Sequence, residues 1–148
     1  MLHQDWMSLA LVQAEKALVL GEVPIGAIIV KDSQIIASAF NEKELRQDPT
    51  AHAEVLVIQR AAEKLGSWRL SDATLYVTLE PCPMCAGAIV QARLKQLVYG
   101  AADLKGGATG SVLNVLNTKL WNHKVDVVAG ILEDDCSNIL KTFFKRLR

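Results

Sequence analysis

Residues 73–101 read ATLYVTLEPCPMCAGAIVQARLKQLVYGA. Ala73 to Leu79 is apolar and carries the β-branched Thr74, Val77 and Thr78, which predicts a strand. Cys82 to about Arg93 predicts a helix, and Gln96 to Ala101 a second strand. Strand, helix and strand in that succession predict parallel strands joined by a helical crossover, in a layered α/β domain.

Working upstream, Trp6, Leu9, Ala10, Ala14, Ala17 and Leu18 recur at helical spacing and stop at Gly21, giving a first amphipathic helix. Ile25 to Val30 is apolar and β-branched; Lys31 to Gln34 is a polar turn, and Ile35 to Phe40 follows. That pair reads as a hairpin. Asn41 to Thr50 reads as a polar loop, with Thr50 a plausible N-cap for a helix over about Ala51 to Lys64. Downstream, Ser111 to Leu116 reads as a short helix, Val125 to Ile131 as a strand and Glu133 to Leu147 as a last helix. No internal repeat or linker-like tract interrupts the pattern, so residues 1–148 are expected to form a single domain.

Composition narrows the class. Half the chain (51%) is apolar and 22% is charged, which excludes a disordered tail and a collagen-like fibre. No apolar run approaches the roughly 18 residues of a membrane-spanning helix, so no membrane partner is expected. Asp5 and the lack of an early basic cluster argue against a secretory signal. With three cysteines and no such signal, reduced thiols are expected, and the cytoplasm with them. Sixteen basic residues balance sixteen acidic ones, too even for a protein-wide nucleic-acid signature. The balance hides a gradient, because residues 1–74 carry net −3 and residues 75–148 net +3.

Two segments carry chemistry: His52-Ala53-Glu54 and Pro81-Cys82-Pro83-Met84-Cys85. Both fall where a helix is predicted to begin. One imidazole and two thiols make three zinc ligands, the number at which a catalytic zinc keeps a position open for water. Cys82 and Cys85 are three residues apart, so on a helix they share a face. A helix N-terminus lowers a thiol pKa, so both are expected to be ready to ligate as thiolates. Glu54 then lies beside the metal without ligating it, placed to shuttle a proton to and from water. A histidine, a glutamate two residues on and a distant Pro-Cys-x-x-Cys form the established signature of zinc deaminases acting on cytosine or adenine. A lone Cys-x-x-Cys also serves redox pairs and structural zinc modules. The structural module wants a fourth ligand, and His3, His123 and Cys136 are the only spares, none near either motif. Cys136 reads as a buried small apolar residue.

Beyond these motifs, Asp48 to Glu54, Thr78 to Ala88 and the closing Phe143-Phe144 resemble the bacterial tRNA-specific adenosine deaminases, of the cytidine deaminase-like superfamily. The similarity runs from about Trp6 to Arg148. It implies a three-layer α/β/α sandwich around a five-stranded mixed sheet and a homodimer. The implied reaction is zinc-dependent conversion of adenosine to inosine at the wobble base of a tRNA anticodon stem-loop. By the same resemblance His52, Cys82 and Cys85 match the zinc ligands, one ion per subunit, and Glu54 the proton shuttle. Asn41 matches a residue that hydrogen-bonds the base, Ala53 a backbone contact to the base edge, and Asp103 an acidic residue near the nucleotide backbone. Ala102 departs from the arginine common there, and Glu42 and Glu44 make the loop after Asn41 acidic. A free-base or nucleoside deaminase acting on guanine, cytosine or cytidine shares the same zinc chemistry and stays open as the alternative.

Three further features have plainer readings. Gly106 to Ser111 reads as a tight turn with a Ser111 cap rather than a phosphate cradle. Lys141, Lys145, Arg146 and Arg148 complement the last helix dipole or meet an RNA backbone. Trp68 and Trp121 are expected to anchor the core or an interface.

Overall fold

The computed structural model describes residues 1–116, 118 and 121–147. Helix α1 spans His3–Val19, strands β1 and β2 span Gly26–Lys31 and Gln34–Phe40, and helices α2 and α3 span Lys43–Arg46 and Ala53–Leu65. Then come β3 (Thr74–Leu79), α4 (Pro83–Gln91), β4 (Gln96–Ala101), β5 (Asp126–Val128) and α5 (Glu133–Arg146). The five strands form one sheet in the order β2-β1-β3-β4-β5. β1 pairs antiparallel with β2 and β3, while β3, β4 and β5 run parallel. The expected mixed five-stranded sheet is therefore the one observed.

Alternation along each strand divides the core into two layers. Ala27, Ile29, Leu75, Val77, Leu97 and Tyr99 face one side, where Leu56, Val57 and Ala61 of α3 and Ala86, Ile89 and Val90 of α4 cover them. Ile28, Val30, Tyr76 and Val98 face the other, under Trp6, Met7 and Ala10 of α1 and Cys136 of α5. Central strands covered on both faces read as continuous apolar runs, which is why β3 and β4 were legible. Two glycines set how closely the outer helices approach. A Cβ at Gly26 would overlap the backbone of Ala10 and Ala14, and one at Gly100 would overlap the Cys136 side chain. The hairpin turn holds Asp32 and Ser33 at φ of 52° and 59°, the left-handed pair a two-residue turn requires.

Several local expectations are corrected. Thr50 is not the N-cap of α3: its backbone N–H and hydroxyl both donate to the Asp48 carboxylate, at 2.8 and 2.7 Å, and the cap falls to His52. The loop after Asn41 contains α2, because the buried Glu22 carboxylate accepts from the N–H groups of Glu44 and Leu45 at 3.1 and 2.7 Å. Residues 111–116 form turns with a single bridge between Thr109 and Asn114 rather than a helix, so Ser111 caps nothing. β5 is shorter than expected and stops before Gly130, whose φ is 82°. Trp68 is 57% exposed, with the Arg69 guanidinium 4.7 Å from its ring, so it does not anchor the core. Trp121 does pack against the core, and its indole N–H donates to the Val115 carbonyl at 2.6 Å. Cys136 is buried as expected. Of the basic cluster on α5, Arg148 lies outside the described residues. No described helix is long and apolar enough to cross a membrane.

Candidate metal centre

Two helix starts in the same layer meet at the site. His52 is the N-cap of α3, extended at φ −75° and ψ 150°, and Glu54 is that helix's second residue. Cys82 is the N-cap of α4, with Pro83 opening the first turn and Cys85 completing it. His52 Nδ1 lies 3.6 Å from Cys82 Sγ and 3.5 Å from Cys85 Sγ. The three donor atoms all lie within 4.8 Å of one another. Tetrahedral zinc, with about 2.05 Å to nitrogen and about 2.3 Å to sulfur, sets such atoms about 3.5 Å apart. The spacing fits, and so does the donor set, since imidazole with two thiolates suits zinc better than a hard oxygen-seeking cation. Among the described residues no fourth His, Cys or carboxylate joins the group.

Within the protein groups alone, the cluster divides its protons unequally. The hydrogen bond from Cys85 holds the Cys82 thiol down at about 4, against the opposing effect of burial, with His52 helping. Cys85, the donor of that bond and itself buried, is pushed far up. His52 is raised by its bond to Cys82, which outweighs desolvation. Without a metal, one sulfur is thus favoured as the charged acceptor and the other as its donor. A metal ion replaces those shared protons, because thiolate and neutral imidazole are the ligating forms. Glu54 is 4% exposed. Burial raises its carboxyl to about 7, with the Cys82 charge adding to the shift, while its own backbone N–H, His52 and Cys85 restrain it. A carboxyl poised there both takes and gives a proton near neutrality.

Of the remaining expected residues, Asn41 and Asp103 lie on loops and Ala53 on α3 itself. Asn41 is buried, and among the described residues its side chain makes long bonds, donating to the Val23 carbonyl at 3.5 Å and accepting from Lys43 N–H at 3.4 Å. The next residue, Glu42, donates its N–H to Ala51 O at 3.0 Å, which fastens the Asn41 loop to the segment before His52. Glu42 carries no uncompensated charge, because Arg46 and Arg60 approach its carboxylate to 3.2 and 3.1 Å. Ala53, the first residue of α3, is fully buried. Asp103 follows β4, and its side chain closes its own turn by accepting from the N–H groups of Lys105 and Gly106 at 3.0 and 3.1 Å. Two buried carboxylates escaped the sequence reading, Glu22 and Glu80. The available signal was an acidic residue at the edge of an apolar run, Glu80 after Leu79 and Glu22 before Val23.

A sequence profile for the family described as MafB19-like deaminase matches residues 1–148. The chain is 52% identical over 143 residues to the tRNA-specific adenosine deaminase of Bacillus subtilis (strain 168), which covers 97% of this chain and 89% of that protein. A solved structure from studies of A-to-I editing by tRNA:A34 deaminases at the wobble position of transfer RNA superposes with a TM-score of 0.87. It is 48% identical and covers 90% of this chain and 96% of its own. A guanine deaminase structure from Bacillus subtilis superposes at 0.66 with 44% identity, over 69% of this chain and 66% of that one. Free-base chemistry therefore occurs on a similar framework, and the fold by itself does not choose the substrate.

Proposed function

The chain belongs to the MafB19-like deaminase family, and on that premise we propose that it is a zinc-dependent hydrolytic deaminase converting adenosine to inosine at the wobble position of a tRNA anticodon. The observation that carries the reaction is the three-donor cluster beside one buried carboxyl that does not belong to it. The substrate rests on near full-length identity to a tRNA-specific adenosine deaminase.

His52, Cys82 and Cys85 would hold one zinc ion per subunit. When bound, the ion supplies Lewis acidity that makes water a competent nucleophile near neutral pH. Glu54 accepts a proton from the attacking water and returns it to the departing amino nitrogen. Water thereby adds at C6 of the flipped-out base, the carbon–nitrogen bond breaks and ammonia leaves. Asn41 hydrogen-bonds the base, the Ala53 backbone meets its edge, and Asp103 stands near the nucleotide backbone.

Residues 1–148 act as a single domain, in keeping with one sheet and two continuous core layers. A homodimer is supported by exposed apolar side chains, Met84 on α4 and Leu104, Val112 and Leu113 on the loop after β4. A cytoplasmic location suits three unpaired thiols and a tRNA substrate. Zinc-loaded protein incubated with unmodified tRNA bearing adenosine at the wobble position is expected to release one ammonia per inosine formed there. A tRNA left unchanged at that position would contradict the proposal.

A further inference from the structure

Glu80 lies two residues before Cys82, at the C-terminal end of β3, and is 2% exposed. An isolated carboxylate so buried is costly unless donors surround it. Here they come from one loop. Oε1 accepts from Asp103 N–H at 3.1 Å and from the Ser111 hydroxyl. Oε2 accepts from Thr109 N–H at 3.1 Å, the Thr109 hydroxyl at 3.3 Å and Ser111 N–H at 3.0 Å. Alongside, Ala108 N–H donates to Pro81 O at 2.8 Å, and Gly107 presses so close that any Cβ would strike the Glu80 carboxyl.

With five donors on two oxygens, Glu80 has no lone pair left for a metal or a substrate proton. It joins two segments instead: the turn that carries Cys82 and Cys85, and the loop that carries Asp103. We propose that Glu80 is a positioning residue for the substrate, fixing the Asp103–Ser111 loop at one height over the metal-ligating turn. The proposal rests on the deaminase reading, since Asp103 matters only if a nucleotide lies beside it.

The two oxygens differ in what they hold, which makes the test selective. In Glu80→Gln the amide oxygen can serve the Thr109 and Ser111 N–H groups. The amide nitrogen then faces the Ser111 hydroxyl, which can rotate to accept, and Asp103 N–H, which cannot. One backbone donor is released, and it belongs to Asp103. Glu80→Gln is expected to keep its zinc and raise KM for an anticodon stem-loop about tenfold, because a loop freed of one anchor must be ordered again when substrate binds, with kcat nearly unchanged. In an Asp103→Ala background the same change should raise KM less than about twofold further, because the two act as one unit. Hydrogen exchange at the amides of Asp103 to Ser111 should speed up in Glu80→Gln while α1 and β1 stay protected. Should Glu80→Gln not fold or lose its metal, Ser111→Ala removes the hydroxyl donor from Oε1 without touching Asp103, and KM and loop exchange are read in the same way. Unchanged KM, an undiminished effect in the Asp103→Ala background, or unaltered exchange in that loop would each overturn the proposal. If the wild-type protein leaves the stem-loop untouched, the substrate assignment fails, and the exchange measurement still decides the role of Glu80.

Discussion

His52 Nδ1 and Cys85 Sγ lie 3.5 Å apart although 33 residues separate them in the chain. The contact is made by two helix starts packed in one layer, each contributing the residue that opens or completes its first turn. A metal held there bridges α3 and α4, so it adds to folding stability as well as supplying chemistry.

Metal analysis of purified protein should therefore return about one zinc per chain, and removing it should lower the melting temperature by roughly 10 °C, as expected for a ligand at 1,000 times its Kd on a domain of this size. Cys85→Ala should abolish stoichiometric binding. Full metal content in that variant would remove Cys85 from the ligand set.

Glu54 lies outside the donor trio, so its replacement separates binding from turnover. Glu54→Gln should keep the zinc and lose about 10²- to 10⁴-fold in kcat, the usual contribution of a positioned proton carrier. Normal turnover in a zinc-replete Glu54→Gln protein would end its assignment as the shuttle.

How far these residues could be read beforehand depended on where their partners lie. β4 was read to the residue and α5 to its first residue, because an apolar run bounded by charges and an acidic first turn are local signals. His52, Glu54, Cys82 and Cys85 were legible because the chemistry itself dictates the spacing within each motif. α2 was missed because its order comes from Glu22, 22 residues before Glu44. The helix expected over residues 111–116 is lost because Ser111 is drawn to Glu80, 31 residues upstream. Glu80 was overlooked for the same reason: its partners arrive only through tertiary folding.

The closeness of α1 to β1 and of α5 to β4 depends on two positions without a Cβ. Gly26→Ala, which meets helix backbone, should destabilise the protein by about 1–3 kcal/mol in urea unfolding. Gly100→Ala meets the Cys136 side chain and should cost less, and its cost should shrink when combined with Cys136→Ala. Additive losses in that pair would show that the overlap lies elsewhere.

Dimerisation is checked by mass. Sedimentation equilibrium at micromolar concentration should give a species of twice 16.2 kDa, and Val112→Asp together with Leu113→Asp should shift it toward the monomer. A wild-type protein that stays at 16.2 kDa under those conditions would contradict the homodimer.

The most direct test of the account is a substrate competition. Zinc-loaded protein is offered an anticodon stem-loop with adenosine at the wobble position, in parallel with free adenosine, cytidine and guanine, at low and raised salt. The account predicts inosine in the stem-loop alone, with KM rising steeply as salt screens the phosphate backbone. Deamination of a free base or nucleoside with the RNA left intact, indifferent to salt, would contradict it.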